Sequence, residues 1–164
     1  MNKNLIAIKS KVYDKLSLLI SNLVIEEEGT EYDACRFQLD GLNILCRTAK
    51  ITPKKTGQFV TCWRRNAEGV TAPYSEMDPI DFYVINVKAG DHFGQFVLPK
   101  SELIKRKIIS TDLNDGKRGF RVYPMWCVTQ NKQAQNTQQW QLNYFYEIGK
   151  NTDLKKVHEL YKSS

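Results

Sequence analysis

Residues Asp81-Phe82-Tyr83-Val84-Ile85-Asn86-Val87 constrain this chain more than any other segment, because the run is apolar on both faces that a strand presents. A half-buried strand would place polar residues at every second position, whereas a strand with two apolar faces must be covered on both sides. The fold therefore needs a central strand with a layer above and a layer below. A chain of 164 residues, 41% hydrophobic and 26% charged, can supply those layers within one domain. No apolar run reaches the roughly 18 residues that a membrane-spanning helix needs.

The flanking segments are read by their period. From residue 10 to 26, Val12, Leu16, Leu19, Ile20, Leu23 and Val24 recur at three- and four-residue steps, which predicts an amphipathic helix ended by Gly29. Glu26, Glu27 and Glu28 would then stand at its C-terminal end, where the macrodipole disfavours carboxylates unless a cation or metal lies nearby. Asp33 to Leu39 alternates as a half-buried strand, Asp40-Gly41 signals a hairpin, and Asn43 to Ile51 should return antiparallel until Pro53 stops it. Gln58 to Arg64 reads as a third strand, with Phe59, Thr61 and Trp63 on one face and Val60 and Cys62 on the other. Arg65 to Pro79 is a polar connection into the central strand. Gly94 to Leu98 gives a further strand, and Pro99 to Leu103 enters a short helix with Ser101 as its N-cap. Beyond a short strand from Phe120 to Tyr123, the spacing of Trp140, Tyr144 and Ile148 predicts a helix from about Gln133 to Glu147. A last helix runs from about Asp153 to Tyr161. These elements predict a single domain over 1–164, α/β with α+β as the alternative. Its sheet is mixed, largely antiparallel, with five or six strands and flanking helices.

The first residues, Met1-Asn2-Lys3-Asn4-Leu5-Ile6-Ala7-Ile8-Lys9, hold too short an apolar stretch for a secretory leader, and a cytoplasmic location is expected. Cys35, Cys46, Cys62 and Cys127 form no CxxC pair, and with only His92 and His158 no familiar zinc spacing can be assembled. Buried reduced thiols are the expectation.

A formal charge of +6 allows almost any partner, but its distribution is uneven. Between Gly41 and Ala67 stand Arg47, Lys50, Lys54, Lys55, Arg64 and Arg65 with no acidic residue. Between Lys100 and Arg121, the basic residues Lys100, Lys105, Arg106, Lys107, Lys117, Arg118 and Arg121 face only Glu102, Asp112 and Asp115. The acids gather elsewhere, at Glu26 to Asp33 and at Glu76 to Asp81. Such segregation points to an anion-binding surface.

The loop Thr52-Pro53-Lys54-Lys55-Thr56-Gly57 holds the parts of a phosphate site: backbone N–H groups, hydroxyls, two ammonium groups and a glycine. It lacks the spacing and the following helix of a P-loop. Arg47 and Lys50 precede it, and Trp63, Arg64 and Arg65 follow it, a mixture that suits bases and phosphates together. Trp63 taken alone reads as core. A second glycine-flanked basic loop, Asp115-Gly116-Lys117-Arg118-Gly119-Phe120-Arg121, could clamp the same backbone. The expected phosphate contacts are thus Arg47, Lys50, Thr52, Lys54, Lys55, Arg64, Arg65, Lys100, Lys117, Arg118 and Arg121.

Nucleophilic chemistry has little to stand on, since GxSxG, HExxH and HxH are all missing and His92 reads as a surface histidine. A metal-dependent phosphodiesterase needs only carboxylates and a lysine, with acids available at Glu27, Glu28, Glu31, Asp33, Asp40, Asp78 and Asp81. No cofactor is required otherwise; Mg²⁺ enters only on that reading.

The run from Arg47 to Arg65 resembles the central signature of the MepB family. Asp78-Pro79-Ile80-Asp81, Gly94 to Lys100, Gly116 to Pro124 and Trp140-Gln141 follow in the family's order, so that the resemblance covers about residues 25 to 146. It implies a PD-(D/E)XK, restriction-endonuclease-like fold. That superfamily uses an aspartate followed by an acid-x-lysine triplet, whereas the triplet here is Thr48-Ala49-Lys50, with threonine in the acid's place. Glu31, Asp40, Lys50 and Asp81 are the catalytic candidates, but a metal would lose a charged ligand at Thr48. The resemblance therefore implies a nucleic-acid-binding relative, with DNA favoured over RNA and without efficient cleavage. The alternatives are an active metal-dependent nuclease, or a regulatory module that binds a small anion or a protein partner.

Overall fold

The computed structural model of the chain describes residues 1–162. Asn2 caps the first helix, α1 (Lys3–Ile8), by accepting the Leu5 N–H at 2.9 Å. A π-helical turn (Lys9–Tyr13) and a 3₁₀ turn (Asp14–Leu16) prolong it until Ser17 enters the left-handed region at φ 57°. Leu5, Ile8, Val12 and Tyr13 are its buried residues.

The expected helix over 10–26 is therefore replaced in its second half by a strand, β1 (Ile20–Ile25), antiparallel to β2 (Cys35–Leu39). The reason is a bulge. Ile20 and Ser21 face Leu39 and Gln38, but Val24 faces Arg36, so one extra residue lies in β1, with Asn22 at φ 53°. The inward residues Ile20 and Leu23 are thereby three apart, and the strand imitates helical spacing.

The hairpin at Asp40-Gly41 forms as expected, both residues at positive φ (49° and 83°), and joins β2 to β3 (Leu42–Thr48). A short β4 (Lys50–Ile51) leads into the basic loop, followed by β5 (Gln58–Thr61), β6 (Trp63–Arg65) and β7 (Thr71–Pro73). Thus the polar connection from Arg65 to Pro79 holds a strand, β7, which pairs with β6 as a small ribbon. The central strand, β8 (Phe82–Ala89), runs parallel to β3 and antiparallel to β9 (His92–Pro99). Phe82 to Val87 are all buried: Phe82 and Val84 join the core that contains α1, while Tyr83, Ile85 and Val87 join the core on the opposite face.

Helix α2 (Lys100–Lys105) starts directly after β9. Its N-cap is Pro99, not Ser101, because the ladder with β8 persists to Phe82 opposite Pro99 and the Lys100 N–H still bonds the Asp81 carbonyl. β10 (Gly119–Val122) pairs with β5, and helix α3 (Lys132–Gln141) follows, capped by Asn131. After a 3₁₀ turn (Leu142–Tyr144) the chain becomes extended as β11 (Phe145–Glu147), where a helix was expected, because Phe145 pairs with Phe96 of β9. Helix α4 (Leu154–Lys162) closes the described chain.

The fold is α+β. A mixed six-stranded sheet, ordered β1-β2-β3-β8-β9-β11, carries α1 and α4 on one face. On its other face lies the antiparallel sheet β10-β5-β4, whose Val60, Phe120 and Val122 point into the second core. Cys35, Cys46 and Cys62 are buried free thiols and Cys127 is half-buried. Among the described residues no helix is long and apolar enough to cross a membrane.

Candidate functional site

The three-stranded sheet places the two basic loops side by side. Gly57 closes the β4–β5 loop at φ 82°, hard against β10: a Cβ there would stand 2.6 Å from the Tyr123 ring and 2.9 Å from the Val122 carbonyl oxygen. Arg121, on β10, reaches back and donates to Thr52 Oγ1 at 2.7 Å and to the Thr56 carbonyl at 3.3 Å. Gln141 fixes α3 beside β10, its Oε1 accepting from the Tyr123 N–H and its Nε2 donating to the Arg121 carbonyl, both at 2.9 Å.

Between these elements runs a groove made of two adjoining hollows. One, of about 380 Å³, is lined by Lys54, Lys55, Arg121 and Asn131 among others. The next, of about 360 Å³, is lined by Arg106, Lys117, Arg121, Asn131 and Trp140 among others, so that Arg121 and Asn131 belong to both. Among the described residues no Asp or Glu lines either hollow. Lys54, Lys55 and Lys117 are exposed, and among the described residues none forms an ion pair with them. Arg106 stands over the Trp140 ring at 4.6 Å and pairs with Glu102 at 2.8 Å.

Other residues expected to bind phosphate are engaged elsewhere. Arg47 is 1% exposed and held by Glu26 Oε1 at 3.1 Å, the Cys46 carbonyl at 2.9 Å and the Tyr74 hydroxyl at 3.1 Å. Burial disfavours its charge, but the neighbouring Tyr83, Tyr74 and Glu26 outweigh that and hold the guanidinium above its ordinary range. Lys50 pairs with Glu31 at 2.9 Å, Arg64 with Asp78 at 3.1 Å and Arg65 with Glu28 at 3.6 Å. Lys100 donates to the Asp78 carbonyl and Arg118 to that of Thr71. With a strand in place of the helix the macrodipole argument for these glutamates lapses, and Glu26, Glu28 and Glu31 pair with Arg47, Arg65 and Lys50 through the tertiary fold.

The four catalytic candidates do not form one cluster. Asp40 accepts the Leu19 N–H at 2.8 Å in the β2–β3 turn, and Asp81 accepts the Asn43 N–H at 2.7 Å at the start of β3. Glu31 and Lys50 meet beyond the other end of β3, about 20 Å further along the strand direction. Among the described residues no three His, Cys, Asp or Glu side chains lie together as metal ligands.

Sequence reading missed the contribution of α3. Its signal was present: residues 116–146 contain Lys117, Arg118, Arg121 and Lys132 and no acid, a second acid-free stretch that packs beside the first.

The MepB-like family matches over residues 26–147, a span that holds every residue lining the groove. The chain belongs to the MepB-like family. A crystal structure of MepB is 35% identical to this MepB-like chain, with a TM-score of 0.79 over 92% of this chain and 100% of that one. A bacterial homing endonuclease aligns at 16% identity and a TM-score of 0.48, over 96% of this chain and 92% of its own. No curated protein matches the sequence.

Proposed function

We propose that this MepB-like chain binds nucleic acid, DNA in preference to RNA, along the groove between the β4–β5 loop, β10 and α3, without cleaving it efficiently. The observation that carries the reading is the Arg121–Thr52 hydrogen bond, which ties two basic loops into one groove free of carboxylates. A groove of one charge sign concentrates an oppositely charged polymer, and exposed lysines without partners are the groups that exchange counterions for phosphates. Lys54, Lys55 and Lys117 supply the charge, Arg121 holds the loop in place, and Asn131 offers an amide at the junction. The dispersal of Glu31, Asp40, Lys50 and Asp81 supports binding rather than metal-assisted hydrolysis.

The test is affinity for a short duplex as a function of salt. Each lysine that contacts a phosphate contributes about one to the slope of log K against log salt, so Lys54→Glu with Lys55→Glu should lower the slope by about two and weaken binding at every sequence alike. An unchanged affinity and slope would refute the reading.

A further inference from the structure

On the outer face of β10-β5-β4, the register sets Lys50, Phe59 and Arg121 directly opposite one another in a row across the three strands. Phe59, Thr61 and Trp63 share this face, half-buried, while Val60 and Cys62 are fully buried behind it. The Phe59 ring lies across Gly119: a Cβ at that position would stand 2.4 Å from Phe59 Cζ. Glycine is thus what lets the ring lie down on the sheet. A hollow of about 300 Å³ opens here, lined by Phe59, Thr61, Trp63, Thr71, Arg118 and Gly119. Each of its two aromatic rings has a guanidinium within cation–π reach, Arg121 5.9 Å from the Phe59 centroid and Arg65 5.7 Å from that of Trp63.

We infer that this hollow takes an unpaired nucleobase, so that the preferred ligand of the chain is a single strand or a strand with an extruded base. The inference rests on the nucleic-acid reading of the groove and names its ligand class. Two arguments select a nucleobase over a plain apolar ligand. The rings are interleaved with Lys50, Arg65, Arg118 and Arg121, with which, among the described residues, the half-buried Glu28 and the exposed Glu31 alone form ion pairs, so the face is net positive. The hollow also adjoins the groove at β10: Gly119 lines both, and Arg121 of the groove stands over the Phe59 ring that lines the hollow, so a backbone lying on Arg121 could turn one base onto Phe59. Aromatic rings flanked by cations on an open sheet face stack bases of any sequence, and double-stranded bases, already stacked, cannot reach them.

The test measures binding of an oligodeoxythymidylate of about 12 nucleotides and of a duplex of equal length, with a 2-aminopurine in the single strand as stacking probe. Phe59→Ala and Trp63→Ala should each weaken single-strand binding about tenfold or more and relieve 2-aminopurine quenching, while duplex affinity stays within about twofold. Phe59→Tyr and Trp63→Phe should keep both, which separates stacking from folding. Gly119→Ala, which lifts the Phe59 ring without deleting it, should also weaken the single strand. If the alanine variants affect both ligands equally or neither, or if the wild type binds only duplex, this inference falls while the groove reading stands. If the wild type binds neither ligand, both fall.

Discussion

In the six-stranded sheet the buried cation Arg47 is surrounded by Glu26, a carbonyl and a tyrosine hydroxyl, whereas at the three-stranded sheet Lys54, Lys55 and Lys117 stand in solvent with no acid beside them. Arg47, Lys54 and Lys55 come from the same basic stretch of sequence, and Lys117 from the second. The difference lies in the distance to carboxylates: among the described residues the acids of 26–33 fold against β3, β4 and β6, consuming Arg47, Lys50 and Arg65, and none lines the groove. Charge in the first region supports the fold, and charge in the second is left for a ligand.

The largest effect is expected at the buried cation. Arg47→Ala leaves Glu26, only 13% exposed, without its principal partner and should destabilise the protein by about 3 kcal/mol in urea unfolding. A loss below about 1 kcal/mol would make Arg47 dispensable and remove the contrast. At the groove, Gln141→Leu strands the Tyr123 N–H and the Arg121 carbonyl and should cost about 2 kcal/mol by the same measurement.

The buried Cys62 thiol and Tyr74 hydroxyl make stability depend on pH. Burial pushes the Cys62 thiol up to about 12, and burial likewise pushes the Tyr74 hydroxyl up to about 12. A group whose folded pKa is raised stabilises fully below its unfolded pKa and loses that contribution as pH rises toward the folded value. Stability should therefore hold below pH about 9 and then fall, by on the order of 1 kcal/mol per pH unit from Cys62. Cys62→Ala should flatten that slope, measured as urea midpoints from pH 7 to about 10.5. The smallest effect is expected for Lys54→Gln with Lys55→Gln, which should move stability by no more than about 0.5 kcal/mol.

Much of this arrangement was legible in sequence. Phe82 to Val87 declared a doubly covered strand, Asp40-Gly41 the hairpin between β2 and β3, and the alternation of Phe59, Thr61 and Trp63 the open face of β5. Period failed where tertiary pairing overrode it: the bulge at Asn22 gave β1 a helical spacing, and Phe96 pulled Phe145 out of a helix. In the site, the basic loops were visible but not which cations were spent. Arg47 and Lys54 differ in their spatial neighbours, and a one-dimensional charge count does not contain those.

The most direct test of the central claim matches two charge removals of equal size. Lys54→Gln with Lys55→Gln takes two charges from the groove, and Lys150→Gln with Lys155→Gln takes two exposed charges from the α4 side. Binding of single-stranded DNA at physiological salt should fall about tenfold or more for the first pair and stay within about twofold for the second. Equal losses for both pairs would mean that only net charge matters, and would contradict a groove built to hold the strand.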